Sequence, residues 1–185
     1  MRWEQLFADL DAQLSAAEAA ELAAEVAERT RYEVGRLRLV DRLRPALGAP
    51  IAMQAEGLGG TRGRLLDVGP DWLLLHEDGA GELLLPAASV LSLAGVGGPA
   101  EVPGSAGEVA RQLDLRWALK GLVRSRSGVQ VVLRDGSLLT GTFDRVGADH
   151  VDLAEHAPGE ARRAGAVRQV RLVPLRSVAA VRSWG

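Results

Sequence analysis

The three histidines, His76, His150 and His156, are the first side chains in the sequence to test for chemistry. On an extended strand His150 and Asp152 share one face at a period of two, and His156 continues it. Two imidazoles beside a carboxylate are ligand types that suit zinc or a related transition metal. Side chains on a single strand fan outward, so a metal would need ligands from a second element. The simpler expectation is a solvated sheet face, and no metal site is assigned. The chain contains no Cys, which removes thiol nucleophiles, thiolate metal sites, iron–sulfur clusters and disulfides together. No G-x-S-x-G nucleophile elbow occurs. The run Gly57-Leu-Gly-Gly-Thr-Arg-Gly63 has the glycines of a phosphate loop without its Gly-Lys-Ser/Thr ending, and it falls where a hairpin turn belongs. Nor do paired carboxylates stand on apolar ground, as acid–base work requires. The sequence therefore predicts no catalytic residue and no cofactor, and the chain reads as a non-enzyme.

Arginine is the remaining candidate. Among the 22 basic residues only Lys120 is a lysine. Residues 1–47 hold 7 Arg against 9 acids, residues 48–100 hold 2 Arg against 6, and residues 101–185 hold 13 basic residues against 9 acids. A basic C-terminal half beside an acidic middle suits either phosphate contact or complementary surfaces within or between molecules. The sequence pI of about 6.0 favours the second, because dedicated nucleic-acid domains usually exceed about 9. If phosphate is the partner, the contacts fall to Arg124, Arg126, Arg134, Arg145, Arg162, Arg163, Arg168 and Arg171, with RNA preferred to DNA.

Apolar side chains offer a different kind of site. Trp3, Leu6, Phe7, Leu10 and Leu14 form a stripe at helical spacing, a surface for packing within the chain or against a partner. Trp72 occupies an outward slot on a predicted strand and is either a partner contact or a packing residue. Trp117, behind Val109 and Leu113 at helical spacing, reads as core.

The elements that must position these residues are written twice. Shifting the chain by 78 residues lays Gly63, Val68, Gly69, Asp71 and Leu75 on Gly141, Val146, Gly147, Asp149 and Leu153 without a gap. After an insertion at 154–168, Pro86, Ser89, Val90 and Leu93 recur as Pro174, Ser177, Val178 and Val181. The economical reading is two copies of one supersecondary unit. In the second copy Val129, Val131 and Leu133 alternate with polar residues ahead of Asp135-Gly136, a tight-hairpin dipeptide. Strands are predicted at 129–133, 137–146, 150–155, 168–173 and around Val178 and Val181, and in the first copy at 51–55, 61–68, 72–76, 82–85 and 90–93. Residues 2–47 are rich in Ala and Leu, and Ser15 with Glu18 at capping-box spacing predicts two helices meeting there. Ser105 with Glu108 predicts a further helix start.

The string from Val129 to Leu153, with its Asp135-Gly136 turn and internal Gly141, resembles the first motif of Sm-like proteins, in which a helix leads into a strongly bent five-stranded barrel. The resemblance implies ring or dimer assembly through the fourth and fifth strands and, often, binding of single-stranded RNA. Of that family's uridine pocket, Asp149 stands at the turn between strands two and three. His150 stands in place of the Asn, and Pro174-Leu175 in place of an Arg-Gly pair. The expected fold is thus α+β: N-terminal helices over 1–47, a first Sm-like barrel over 48–93, a Gly/Pro linker over 94–104, a connecting helix over 105–125 and a second barrel over 126–185. A non-enzymatic interaction module is the leading expectation, binding a protein partner or a second copy of itself. The alternative is a nucleic-acid-binding regulator working through the basic second copy. With no long apolar stretch and an N-terminus that mixes charged and apolar residues, the chain reads as cytoplasmic and without membrane contact.

Overall fold

The computed structural model describes residues 2–98, 100–101, 112–160, 162–163 and 165–184. They fall into two compact units, Met1–Leu37 and Arg38–Gly185. The first unit is a single helix, α1 (Arg2–Arg36). The expected break at Ser15 does not occur. Ala, Leu and Glu on both sides of Ser15 favour continued helix, and one serine with a glutamate three residues on does not outweigh them. All of its described side chains are exposed, including the stripe from Trp3 to Leu14.

The second unit opens with a short helix, α2 (Leu39–Leu43), followed by a 3₁₀ turn at Arg44–Ala46. Asp41 folds back so that its carboxylate accepts the Arg38 backbone N–H at 3.0 Å. Five strands follow: β1 (Pro50–Ala55), β2 (Gly59–Val68), β3 (Trp72–Glu77), β4 (Gly81–Pro86) and β5 (Val90–Ala94). Helix α3 (Leu115–Ser125) leads into β6 (Gly128–Leu133), β7 (Leu138–Val146), β8 (His150–Glu155), β9 (Gln169–Pro174) and β10 (Val178–Trp184). The expected helix start at Ser105 and the candidate core residue Val109 lie outside the described residues. Asp114 caps α3 by accepting the Trp117 N–H at 2.9 Å. Leu115 and Leu119 form the buried face, so Trp117, two residues on, turns outward and is 46% exposed rather than core.

The ten strands form one antiparallel sheet in the order β5-β1-β2-β3-β4-β10-β6-β7-β8-β9. This corrects the expectation of two closed five-stranded barrels at 48–93 and 126–185. No barrel closes, because in neither half does the fourth strand pair with its own fifth. A 3₁₀ turn (Ala87–Ser89 or Leu175–Ser177) carries the chain away from the fourth strand, and the fifth strand pairs with the first. The fourth strand of the first half pairs instead with the fifth strand of the second, leaving β5 and β9 as the sheet's two edges.

Local detail repeats across the two halves. The ladder slips one residue between Leu65 and Asp67 and again between Phe143 and Arg145, and such bulges bend and twist a sheet. Gly63 and Gly141 sit where a neighbouring backbone passes too close for any side chain, beside the His76 and Ala154 carbonyls. Trp72 and His150 occupy matching slots over Gly69 and Gly147. The Ala87 N–H donates to the Asp71 carbonyl at 2.8 Å, and the Leu175 N–H to that of Asp149 at 2.7 Å.

The core is not divided at the repeat boundary. Ile51, Met53, Leu65, Leu73, Leu75, Leu83 and Leu85 form one cluster that also takes in Val132, Ala179 and Ala180 from the second half. A second cluster, around Leu119, Val129, Val131, Phe143, Val151 and Leu153, takes in Trp72 and Leu84 from the first. Each half thus completes the other's apolar interior, which offsets the small core a five-stranded unit could build alone.

Candidate interaction site at the sheet edges

The seam between β4 and β10 shows what a strand edge of this chain does when it is satisfied. Leu84 lies opposite Val181, Leu83 opposite Arg182 and Glu82 opposite Ser183. Leu84 is 6% exposed and packs into the second half's core, while Ala179 of β10 is fully buried in the first half's core. Arg182 grips Glu77 through two bonds, Nε to Oε2 at 2.7 Å and Nη2 to Oε1 at 3.1 Å, and the Thr61 hydroxyl donates to Glu77 Oε1 at 2.6 Å. These hydrogen bonds, Arg182 first, hold the Glu77 carboxyl below its ordinary pKa against the opposing effect of burial. The Ser89 hydroxyl, buried at the same seam, lies 2.7 Å from both the Pro86 and Ala179 carbonyls and shares its single proton between them. Arg134 meets Glu56 at 2.7 Å across the paired hairpin turns.

Helix α3 is anchored to the first half by the turn ahead of β3. The Trp72 indole N–H donates to the Leu113 carbonyl at 2.7 Å, and the Leu115 N–H donates to the Asp71 carboxylate at 2.8 Å. Burial pushes the Asp71 carboxyl above its ordinary value, the Leu115 bond lowers it, and the neighbouring Asp114 charge raises it. Trp72 is 4% exposed and so serves packing inside the chain, not an outward contact.

The free edges carry the unsatisfied counterparts of this seam. On β9, Val170 is 56% and Leu172 67% exposed, and Leu172 is the repeat equivalent of buried Leu84. On β5, Leu91 is 66% exposed and is the equivalent of buried Ala179. The Sm-like resemblance named fourth and fifth strands as assembly elements, but the sequence did not say which fourth and which fifth strand stay open. A signal was present, because Val170, Leu172 and Val173 put apolar residues on both faces of one strand, which fits a strand covered on both sides.

The eight candidate arginines do not form one free basic surface. Arg134 belongs to the seam, Arg145 pairs with Asp152 at 2.9 Å, Arg162 holds Asp144 bidentately, and Arg171 holds Glu155. Arg124, Arg126, Arg163 and Arg168 make no ion pair among the described residues. Arg126 and Arg162, with Arg145, line a cavity of about 310 Å³ floored by Phe143 and Thr142.

The histidines separate. His150 Nδ1 lies 3.0 Å from Asp149 and its Nε2 lies 3.8 Å from Asp152, and the first of these contacts lowers the Asp149 carboxyl. His156 turns inward instead and is buried against Thr142 Oγ1 at 2.8 Å, with its Nδ1 3.0 Å from the Ala157 carbonyl. The expected common face for the three groups is therefore lost at His156, because β8 ends at Glu155 and the chain leaves the strand geometry. Among the described residues no three His, Asp or Glu side chains are grouped to hold a metal, and no helix is long and apolar enough to cross a membrane. Set against protein-family models, curated proteins and solved structures, the chain matches none of them.

Proposed function

We propose that this chain is a non-enzymatic interaction module that binds further copies of itself, head to tail, through its two open sheet edges. The β9 edge of one copy pairs with the β5 edge of the next, in the register of the inner seam, so that Leu172 faces Leu93 and Arg171 faces Ala94 of the neighbour. The observation that carries this reading is the contrast between Leu84, covered at the seam, and its exposed equivalent Leu172. An edge strand with unpaired backbone groups and exposed apolar residues is a template for another strand. Matching edges on opposite ends of one chain make a heterologous contact, which yields a ring where the rotation closes and an open chain where it does not.

Light scattering on the full chain tests this directly. A dimer or larger species is expected in the micromolar range. Leu172→Lys and Leu91→Lys should each give monomer, because each spoils one edge. Mixing the two variants should restore a heterodimer, since one intact edge of each kind remains. A wild-type monomer throughout that range, or a mixture that stays monomeric, overturns the reading. The nucleic-acid alternative has weaker support, since four of its eight arginines already hold carboxylates. It would regain ground if an oligouridine bound at low salt with affinity falling steeply as salt rises.

A further inference from the structure

We propose that the cavity between the Arg44–Ala46 turn and the turn joining β2 to β3 binds a small carboxylate with an apolar body. This inference stands apart from the edge pairing above and shares no edge residue with it. The cavity measures about 470 Å³, and its walls come from Leu47, Val68, Trp72 and Leu113, with Arg44 on one side. That volume lies within the range of about 300–1,000 Å³ usual for small-ligand sites, and so does the pattern of an apolar wall with a few fixed polar groups.

The polar groups around the cavity are nearly all spent. The Trp72 indole N–H goes to the Leu113 carbonyl. The Gly69 N–H goes to the Trp72 carbonyl at 2.9 Å. Asp67, on the exposed rim, accepts the N–H of Val68 at 2.7 Å. One group is left over. Arg44 Nε is buried and has no hydrogen-bond partner, and the only side-chain bond the guanidinium makes among the described residues is a long one, from Nη1 to Glu101 Oε2 at 3.5 Å. No hydrogen bond leaves the Nε–Nη2 edge of the guanidinium among the described residues, and the two N–H groups of that edge have the geometry that the two oxygens of a carboxylate take in a planar bidentate pair. A buried donor without an acceptor is rare in native proteins and points to a group that completes it.

Charge narrows the class of ligand. Asp67 and Glu101 set two negative charges on the lining against the single cation of Arg44. That lining repels a phosphate dianion about twice as strongly as a monoanion, so a monoanionic carboxylate is the anion better able to pair with Arg44, with its aliphatic or aromatic body on Leu47, Val68 and Trp72. The carboxylate can belong to a free organic acid or to the C-terminus of a peptide.

Nuclear magnetic resonance of the full chain separates these sources. Hexanoate and an acetylated dipeptide ending in leucine with a free C-terminus are the probes, read at the Arg44 Nε–H and the Trp72 indole N–H. A saturable shift of both signals with either probe supports the site, and the probe that produces it identifies the source. Hexanamide and the C-terminally amidated dipeptide should bind at least roughly tenfold more weakly, because they cannot fill both positions of the guanidinium edge as an anion. Arg44→Met should abolish the acid–amide difference, and Arg44→Lys should keep part of it. No saturable shift with either acid, or equal affinity for acid and amide in the unmodified chain, overturns the proposal. The acid–amide comparison needs no variant, so the test survives if Arg44→Met fails to fold.

Discussion

Two equivalent carboxylates, Glu77 on β3 and Glu155 on β8, end in different kinds of contact. Glu77 is held by Arg182, 105 residues away on the far side of the seam, and by Thr61 on β2. Glu155 is held by Arg171 and Gln169 on the strand that follows it. In both cases the arginine, as the largest influence, keeps the carboxyl below its ordinary pKa. The first contact joins two halves of the molecule and the second stays inside one hairpin. The strands beside them follow the same division: β4 is covered by β10, and β9 faces solvent. A duplicated unit has thus been specialised by partner, one fourth strand committed to an internal joint and the other left open, although their backbone patterns match.

The largest effect should come from truncating the same position in the two halves. Leu84→Ala removes side-chain atoms from a closed apolar cluster and should cost on the order of 2–5 kcal/mol. Leu172→Ala, at the equivalent exposed position, should leave the stability of the isolated chain within about 0.5 kcal/mol. Urea unfolding at a concentration low enough to suppress association measures both. Equal losses would mean that the seam is not a core, and the division between β4 and β9 would lose its energetic basis.

Strand placement was legible in the sequence because alternation and turn chemistry are local. The Val129–Leu133 alternation, the Asp135-Gly136 turn and the recurrence of the pattern in both copies place nine of the ten strands to within about two residues, inside the usual uncertainty of element ends, while β10 runs on to Trp184, past the expected Val181. Closure was not legible. Leu83, Leu84 and Leu85 read identically whether β4 meets its own fifth strand or that of the other copy, since a strand's pattern states which faces are buried and not by whom. The Sm-like resemblance supplied a closed barrel that the strand order does not form. The N-terminal break failed for a different reason. Ser15 and Glu18 have cap spacing, yet caps act only where the flanking residues leave helix, and Ala16, Ala17, Ala19 and Ala20 do not. The pairing of the arginines was not legible either, because residue type says nothing of it: Asp144, Asp152, Glu155 and Glu56 engage four of the eight. Arg44 was not singled out at all, since neither its burial without a partner for Nε nor its place beside Trp72 and Leu113 on one cavity can be read from residue type.

A smaller effect should come from the two arginines that hold Glu77 and Glu155. Arg182→Met leaves the Glu77 carboxylate, whose side chain is 8% exposed, with Thr61 alone, at a cost of about 1–3 kcal/mol for a poorly satisfied buried group. Because the folded pKa of Glu77 is depressed, its contribution is complete above the unfolded carboxylate value. It is lost as the pH falls through that value and on through the folded one. Unfolding midpoints measured from neutral to acid pH should therefore fall less steeply in Arg182→Met than in the parent chain. Arg171→Met should change the profile much less, because its pair is solvent-screened. An acid limb equally steep with and without Arg182 would break the assignment of that limb to the seam.

The smallest predicted effect compares the ends of the helical segments that precede the two halves. Gly48 and Arg126 are equivalent by the 78-residue shift, and both take the left-handed conformation, at φ 80° and φ 53° respectively. Arg126 is the only non-glycine residue with positive φ among the described residues, and it closes α3 with its N–H donated to the Val123 carbonyl. Glycine pays no steric penalty in this region, whereas a residue with a Cβ pays about 1–2 kcal/mol. Arg126→Gly should stabilise the chain by about 0.5–1 kcal/mol, after subtracting the greater entropy that glycine gives the unfolded state. Gly48→Arg should destabilise it by a similar amount. A Cβ at Gly48 would meet nothing within 4 Å, so the loss would report the backbone alone. Thermal unfolding of both variants checks the pair. If Arg126→Gly is neutral or destabilising, the arginine side chain itself stabilises the fold beside the cavity it shares with Arg145 and Arg162. The second half would then depend on a contact for which the first half, with glycine at this position, has no equivalent.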